Sequence, residues 1–136
     1  MDECCAVKQA PMILACSGGS NVGQMSNRLA VELTKSGHGK MFCLAGIGAG
    51  LSGFVQSAKD AAEVVVIEGC PVGCAKKALE NAGVTPTRYV LLTELGMEKN
   101  KNLDLDDAEV AALLQAMTGP SAAKGPSGKG CGCGCG

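Results

Sequence analysis

Four short apolar runs alternate with segments of helical periodicity, and this alternation restricts the fold more than any other feature of the sequence. The runs are PMILACSG, KMFCLAGIG, AEVVVIEGC and TRYVLLTEL, each bounded by Gly, Pro or charged residues. They predict four buried strands. Strands that alternate with helices need right-handed crossovers, which produce a parallel sheet covered on both faces. We therefore predict a small three-layer α/β sandwich, a Rossmann-like or flavodoxin-like half, with a four-stranded parallel sheet in the order 2-1-3-4.

The segments between and after these runs predict four helices. The first follows Ser20 and carries apolar residues at helical spacing, and the second covers about residues 51–61. The third is expected to have Pro71 at its first position and Gly83 as its C-terminal cap. The fourth is expected to begin near Asp104, whose side chain can cap a helix.

Composition divides the chain into three parts. Residues 1–10 form an N-terminal segment with the Cys4–Cys5 pair, and residues 11–118 form one α/β domain that we predict binds metal. Residues 119–136 are dominated by Gly, Ser, Pro, Lys and Cys and have no apolar periodicity, so we predict a disordered tail. A chain of 136 residues is long enough for one core of this kind but not for two.

Charge and aromatic content exclude several kinds of partner. The formal net charge is −1, and the chain has no Trp, one Tyr and two Phe, so it has neither a basic stripe nor the aromatic platforms that stack bases. We expect no nucleic-acid partner. No apolar run reaches the length of a membrane span, and the start MDECC is acidic, unlike a signal peptide. The sequence predicts a cytoplasmic protein without a membrane partner.

Four cysteines fall where predicted strands end or a helix begins: Cys16, Cys43, Cys70 and Cys74. If the strands are parallel neighbours, all four thiols open onto one edge of the sheet, where α/β proteins build their sites. Cys70 precedes Pro71 and is expected in the N-cap region, where the helix dipole lowers the pKa of a thiol. The clustered spacing and the odd total of nine cysteines favour reduced, metal-binding or catalytic thiols over a disulfide framework. Burial as small apolar side chains is the simpler alternative for each of them.

The spacing Cys-Pro-Val-Gly-Cys differs from the Cys-x-x-Cys of thioredoxin-like enzymes and is better suited to half of a metal site. Four thiolates complete the tetrahedral coordination of zinc, whereas three would leave an open position. We predict Zn²⁺ as the bound ion. Cys131, Cys133 and Cys135 alternate with glycine and are predicted to be accessory ligands on a flexible arm.

Three sequence blocks resemble the DGC-domain family of zinc-binding proteins. They are ACSGGSNVGQMSN, CLAGIGAG and IEGCPVGCAKKALENAG, and the resemblance covers roughly residues 13–101. It implies four chelating cysteines, which fall on Cys16, Cys43, Cys70 and Cys74, and it implies no substrate or reaction. The family is named after Asp-Gly-Cys, whereas this chain has Glu68 before Gly69 and Cys70.

Two other functions remain open from the sequence. In a thiol-redox enzyme, Cys70 would be a nucleophile of low pKa that Cys74 or Cys16 resolves, and a protein partner would exchange metal or thiols with the site. In a nucleotide-binding protein, Gly48, Gly50 and Gly53 would form a GxGxxG loop after a strand. Whether the chain is an enzyme stays undecided at this point. The single histidine, His38, is expected to be an exposed turn residue.

Overall fold

The computed structural model describes residues 9–119 as an α/β fold around one parallel sheet. The strands are β1 (Met12–Ala15), β2 (Lys40–Met41), β3 (Val64–Glu68) and β4 (Arg88–Leu91), in the spatial order β2-β1-β3-β4. This order is the predicted one. Because all pairings are parallel, the carboxyl ends of β2, β1 and β3 lie side by side.

The strands differ in burial more than the sequence predicts. β1 pairs with β3 at four positions, and the core side chains Ile13, Leu14 and Ile67 are each no more than 2% exposed. β2, in contrast, has only two residues, and both are exposed. The prediction of four buried strands was therefore wrong for β2, because the apolar run after Met41 continues as a helix, and it holds only in part for β4, where Arg88 and Tyr89 are exposed.

Two helices cover one face of the sheet. They are α1 (Asn21–Lys35), which Ser20 caps through its side-chain oxygen, and α5 (Asp107–Thr118). Their apolar stripes pack against β1, β3 and β4, as 3.6-residue periodicity requires. The buried cluster on this face consists of Ile13, Val22, Met25, Leu29, Ala30, Leu33, Ile67, Val90, Leu92, Met97, Val110, Leu113 and Met117.

Three shorter helices cover the opposite face: α2 (Leu44–Gly48), α3 (Ser52–Asp60) and α4 (Cys74–Ala82). A second apolar cluster lies between them and the sheet. Its buried members are Leu14, Ile47, Ala58, Val64, Val66, Ala75, Leu79 and Val84. Helices on both faces confirm the three-layer arrangement, while the closer analogy to a flavodoxin-like half stays a prediction.

Two predicted helix starts were wrong by a few residues. α4 begins at Cys74, and its N-cap is Gly73 in a left-handed conformation (φ 71°), so Pro71 lies in the preceding turn. α5 is capped by Asp106, whose Oδ1 accepts from the Ala108 amide, and not by Asp104. The C-terminal cap of α4 is Gly83 with φ 72°, as predicted. A 3₁₀ helix over Leu92–Leu95 follows β4 directly.

Within residues 9–119, no helix has the length and apolarity needed to cross a membrane. The predictions for Cys4 and Cys5, and for Cys131, Cys133 and Cys135, fall outside the described residues, and so does almost all of the predicted tail.

Candidate thiol site at the carboxyl edge of the sheet

Three adjacent strands each deliver a cysteine close to their carboxyl ends. Cys16 directly follows β1, Cys43 comes two residues after β2, and Cys70 comes two residues after β3. Cys74 is the first residue of α4. All four are free thiols: Cys16 and Cys70 are half-buried, while Cys43 and Cys74 are exposed. We call these four residues the thiol site.

Cys16 is fixed by the backbone of the sheet. Its amide donates to the carbonyl of Ile67 at 3.0 Å, which extends the β1–β3 ladder by one residue. Burial raises the pKa of the Cys16 thiol above its ordinary value, and hydrogen bonds from the backbone of Gly18 and Gly69 act against this rise. The charges of Glu68 and Cys74 raise it further, so Cys16 lies within electrostatic range of the α4 start.

Glycine contacts pack both the loop after Cys16 and the loop that contains Cys70 against the first turn of α1. A Cβ on Gly69 would lie 2.8 Å from the carbonyl carbon of Val22, and a Cβ on Gly23 would lie 2.7 Å from the backbone of Gly18. Real Cβ atoms do not approach a neighbouring backbone this closely, so both positions require glycine. Gly23 and Gly69 therefore serve close packing of the backbone.

Cys70 has a lysine beside it that the sequence did not predict. Lys99 Nζ lies 3.4 Å from Cys70 Sγ. The lysine is placed by Asn21, whose side chain donates to the Glu98 carbonyl and accepts from the Asn100 amide, both at 2.7 Å. The Asn21 amide also donates to the Asn100 carbonyl at 3.0 Å. This contact places a positively charged group beside the Cys70 sulfur.

The helix start expected at Cys70 lies instead at Cys74. The Cys70 carbonyl accepts from the Gly73 amide at 3.2 Å in a tight turn, and the left-handed Gly73 then leads into α4. Cys74, and not Cys70, therefore lies in the first turn of α4, where the amides carry partial positive charge. The prediction of Cys70 in the N-cap region was wrong, because the N-cap residue of α4 is Gly73.

Cys43 is the N-cap residue of α2, and its Sγ accepts from the Gly46 amide at 3.3 Å. α2 packs against α4, with Gly48 facing the Ala78 methyl group. Two thiols of the site, Cys43 and Cys74, thus lie at the N-termini of two helices that pack together. The sequence placed Cys43 at the end of a predicted strand, with burial in the core as the alternative, and the structure leaves it exposed.

Glu68 is the most buried charged group near the thiols, with 1% exposure. Its Oε1 accepts from the Ala75 amide at 3.3 Å and its Oε2 accepts from the Lys76 amide at 3.0 Å. The Tyr89 hydroxyl is 3.5 Å from Oε2. The pKa of Tyr89 is raised to about 12, first by burial and then by the charge and the hydrogen bond of Glu68. Lys76 Nζ lies 5.9 Å from the centre of the Tyr89 ring.

The thiols share one edge without being gathered into a ready coordination sphere. Among residues 9–119, no three His, Cys, Asp or Glu side chains are arranged to hold a metal ion. The donor chemistry nevertheless suits zinc, because the site offers four free thiols with no disulfide between them. Loading an ion would require the four sulfurs to converge.

Two other predicted features are also placed by the structure. Gly48 ends α2, Gly50 turns the chain with φ 73°, and α3 begins at Ser52, so the GxGxxG segment joins two helices. The strand–turn–helix context that a dinucleotide loop needs is not found there.

His38 is exposed and its Nδ1 lies 2.8 Å from Ser36 Oγ, as expected for a turn residue.

Sequence reasoning missed the roles of Lys99, Asn21 and Glu68. Lys99 lies in the polar stretch EKNKN, whose pattern gives no sign of a contact 29 residues away. The sequence does contain a signal for Glu68, because a carboxylate ends the apolar run VVVIE. A charge buried in such a strand needs a hydrogen-bonding or ionic partner.

Comparisons with known proteins found one matching family model and one similar curated protein. The DGC domain model matches residues 12–117. The chain is 37% identical over 101 residues to the anaerobic and virulence modulator AnvM of Pseudomonas aeruginosa, an alignment that covers 73% of this chain and 77% of the relative. No solved structure matches the chain.

Proposed function

The chain belongs to the DGC domain family, and we propose that it binds zinc or another soft metal ion through the thiolates of Cys16, Cys43, Cys70 and Cys74. One observation carries the proposal. Three neighbouring parallel strands each place a free cysteine within two residues of their carboxyl ends, and the next helix adds a fourth. Thiolates are the donors that zinc and other soft ions select.

Each thiol brings a different contribution to such a site. Cys16 is fixed by the sheet, and Cys70 has the ammonium group of Lys99 at 3.4 Å, a positive charge beside its sulfur. Cys43 and Cys74 lie at helix starts, where amide groups offset the negative charge of a thiolate cluster. Zinc would supply the charge that holds the four sulfurs together, and its binding would release the protons of the thiols.

The name of the relative describes a modulator. A protein whose state depends on metal occupancy can be a modulator without catalysing a reaction. We place this function in the cytoplasm, where thiols stay reduced. A protein that delivers or receives the ion by thiol exchange is the partner that the exposed Cys43 and Cys74 would serve.

The test is metal content per chain, by elemental analysis of the full chain purified without oxygen, chelator or affinity tag. A full-length variant with Cys131, Cys133 and Cys135 changed to Ser separates the tail from the thiol site. We expect about one zinc per chain in this variant, and its loss when Cys70→Ser and Cys74→Ser are added. Zinc that stays stoichiometric in the combined variant would refute the proposed ligands.

Lys99 beside Cys70 favours a second candidate, a thiol-redox function. There the Cys70 thiolate attacks a partner disulfide, which releases one partner thiolate and leaves a mixed disulfide. Cys74 or Cys16 then attacks Cys70 Sγ and releases the second partner thiolate. The two functions differ in the zinc-loaded protein, where ligation protects Cys70 from alkylation and a free nucleophile is labelled rapidly.

A further inference from the structure

Glu68 is a buried carboxylate whose nearest polar contacts all belong to the neighbourhood of the thiol site. It ends β3, is 1% exposed, and uses both oxygens on the first amides of α4. Burying an isolated carboxylate is strongly unfavourable, so this position needs compensation. The amides of Ala75 and Lys76, with the positive end of the α4 dipole, provide it.

Glu68 also replaces a missing helix cap. The N-cap residue of α4 is Gly73, which has no side chain to satisfy the first amides, and the helix starts without a cap from its own residues. Glu68 reaches those amides from the strand instead. It is therefore the group that ties the start of α4 to the end of β3.

This tie controls the relation between two thiols. Cys70 lies two residues after Glu68 in the chain. Cys74 directly precedes Ala75, whose amide donates a hydrogen bond to Glu68. The four-residue segment between Glu68 and Gly73 contains the close approach of Gly69 to α1 and the turn at Cys70. If the carboxylate releases the helix, only the turn between Cys70 and Gly73 still relates Cys70 to Cys74.

We propose that Glu68 is the positioning residue of the thiol site: it fixes Cys74 relative to Cys70 by capping α4 from β3, and its negative charge makes the site favour divalent over monovalent soft ions. The proposal rests on the proposed metal-binding function. The charge effect follows from Coulomb's law, because attraction to a fixed negative charge grows with the charge of the ion. The carboxylate lies close to two of the thiols, since Glu68 is two residues before Cys70 and accepts from the Ala75 amide next to Cys74.

The first experiment tests positioning without any metal. Hydrogen exchange of the Ala75 and Lys76 amides is measured in the metal-free full chain, together with the alkylation rate of Cys74. Glu68→Gln keeps the shape of the side chain, but its NH₂ group cannot accept a hydrogen bond from the second amide. Glu80→Gln is the matched control, because it removes the same charge from an exposed position of α4 that pairs with Lys77. We expect faster exchange and altered Cys74 labelling in Glu68→Gln only, and unchanged rates in that variant would overturn the proposal.

The second experiment measures Zn²⁺ and Ag⁺ affinity in chains that carry Ser at the three tail cysteines. Loss of a group that orients a ligand typically lowers metal affinity about 10- to 100-fold. We expect Glu68→Gln to lose this much for Zn²⁺ and clearly less for Ag⁺, and Glu68→Asp, which keeps the charge, to keep the Zn²⁺/Ag⁺ ratio of the wild type. Equal losses for both ions would refute the charge effect, and an unchanged Zn²⁺ affinity would refute the positioning role.

Failures of the two proposals are distinguishable. If the wild type takes no zinc, the proposed function is wrong, while exchange and Cys74 labelling still decide whether Glu68 positions the thiols. If Glu68→Gln does not fold, Glu68→Asp carries the test. In that case, a Zn²⁺/Ag⁺ ratio different from the wild type would overturn the proposal.

Discussion

Cys16 follows a strand that is paired on both sides, whereas Cys43 follows a two-residue strand at the edge of the described sheet. The Cys16 amide continues the ladder to Ile67, and the Cys70 loop packs through Gly69 onto α1. Cys43, by contrast, is exposed at the start of a five-residue helix. The centre of the carboxyl edge is thus built into the core, whereas the residues of β2 and Cys43 at its β2 end are exposed.

The difference implies a division of roles within the thiol site. A metal ion requires ligands in fixed geometry, but a site whose sulfurs are not yet gathered needs some of them to move. In the proposed metal site, the half-buried Cys16 and Cys70, with Cys74 held relative to Cys70 by Glu68, would supply the fixed part, and the exposed Cys43 would close over an arriving ion. The predictions below test this contrast between the centre and the β2 end.

The largest expected difference is in core stability. Ile67 of β3 has no exposed surface, so Ile67→Ala removes buried methyl groups and leaves a cavity, at a cost of about 3 kcal/mol of unfolding free energy. Met41 of β2 is 39% exposed, and Met41→Ala should cost less than about 1 kcal/mol. Urea unfolding with reductant and chelator present measures both. Similar costs at the two positions would mean that the β2 end is as firmly built as the centre.

Glycine substitutions test the same contrast through close packing. Gly69→Ala places a Cβ 2.8 Å from the Val22 backbone and should destabilise the domain by about 2 kcal/mol. Gly53 lies in α3 with nothing within 4 Å of a Cβ, so Gly53→Ala should be neutral or stabilising by about 0.5 kcal/mol. Unfolding free energies of both variants provide the measurement. A harmless Gly69→Ala would contradict the packing of the Cys70 loop onto α1.

These two regions also show what a sequence can and cannot predict. Strand order and the shared edge followed from the alternation of apolar runs and helices, since chain topology leaves few other arrangements. The run KMFCLAGIG was ambiguous, because a short apolar stretch fits a strand or a buried helix equally well, and most of it became α2. The role of Glu68 depends on contacts with residues seven and eight positions away across a turn, which periodicity does not encode.

Thiol reactivity should follow the same contrast in the metal-free protein. Burial raises the pKa of Cys16, so a smaller fraction of this thiol is ionised at neutral pH than in an ordinary cysteine. Since alkylation proceeds through the thiolate, Cys16 should be labelled more slowly than the exposed Cys43, and its rate should keep rising into more alkaline solution. Peptide mass spectrometry after short iodoacetamide pulses at several pH values resolves the two sites. Faster labelling of Cys16 than of Cys43 at neutral pH would reverse the assignment of fixed and accessible thiols.

The smallest expected effect concerns the polar support of the β3 end. Tyr89 has a pKa raised from 10.0 to about 12, first by burial and then by the charge of Glu68. Because the unfolded chain ionises Tyr89 at the lower pH, this tyrosine stabilises the fold below pH 10 and that contribution is lost as the pH rises toward 12.

The chain has one tyrosine and no tryptophan, so phenolate absorbance reports Tyr89 alone. We expect its midpoint to fall toward the ordinary value in Glu68→Gln, which keeps the tyrosine but removes the neighbouring charge. Tyr89→Phe should remove the loss of unfolding free energy that the wild type shows between pH 10 and pH 12. The same variant should leave the labelling rate of Cys43 unchanged. A wild-type midpoint near the ordinary value would show that Glu68 does not hold Tyr89. The β3 end would then lack the polar support that distinguishes it from the β2 end.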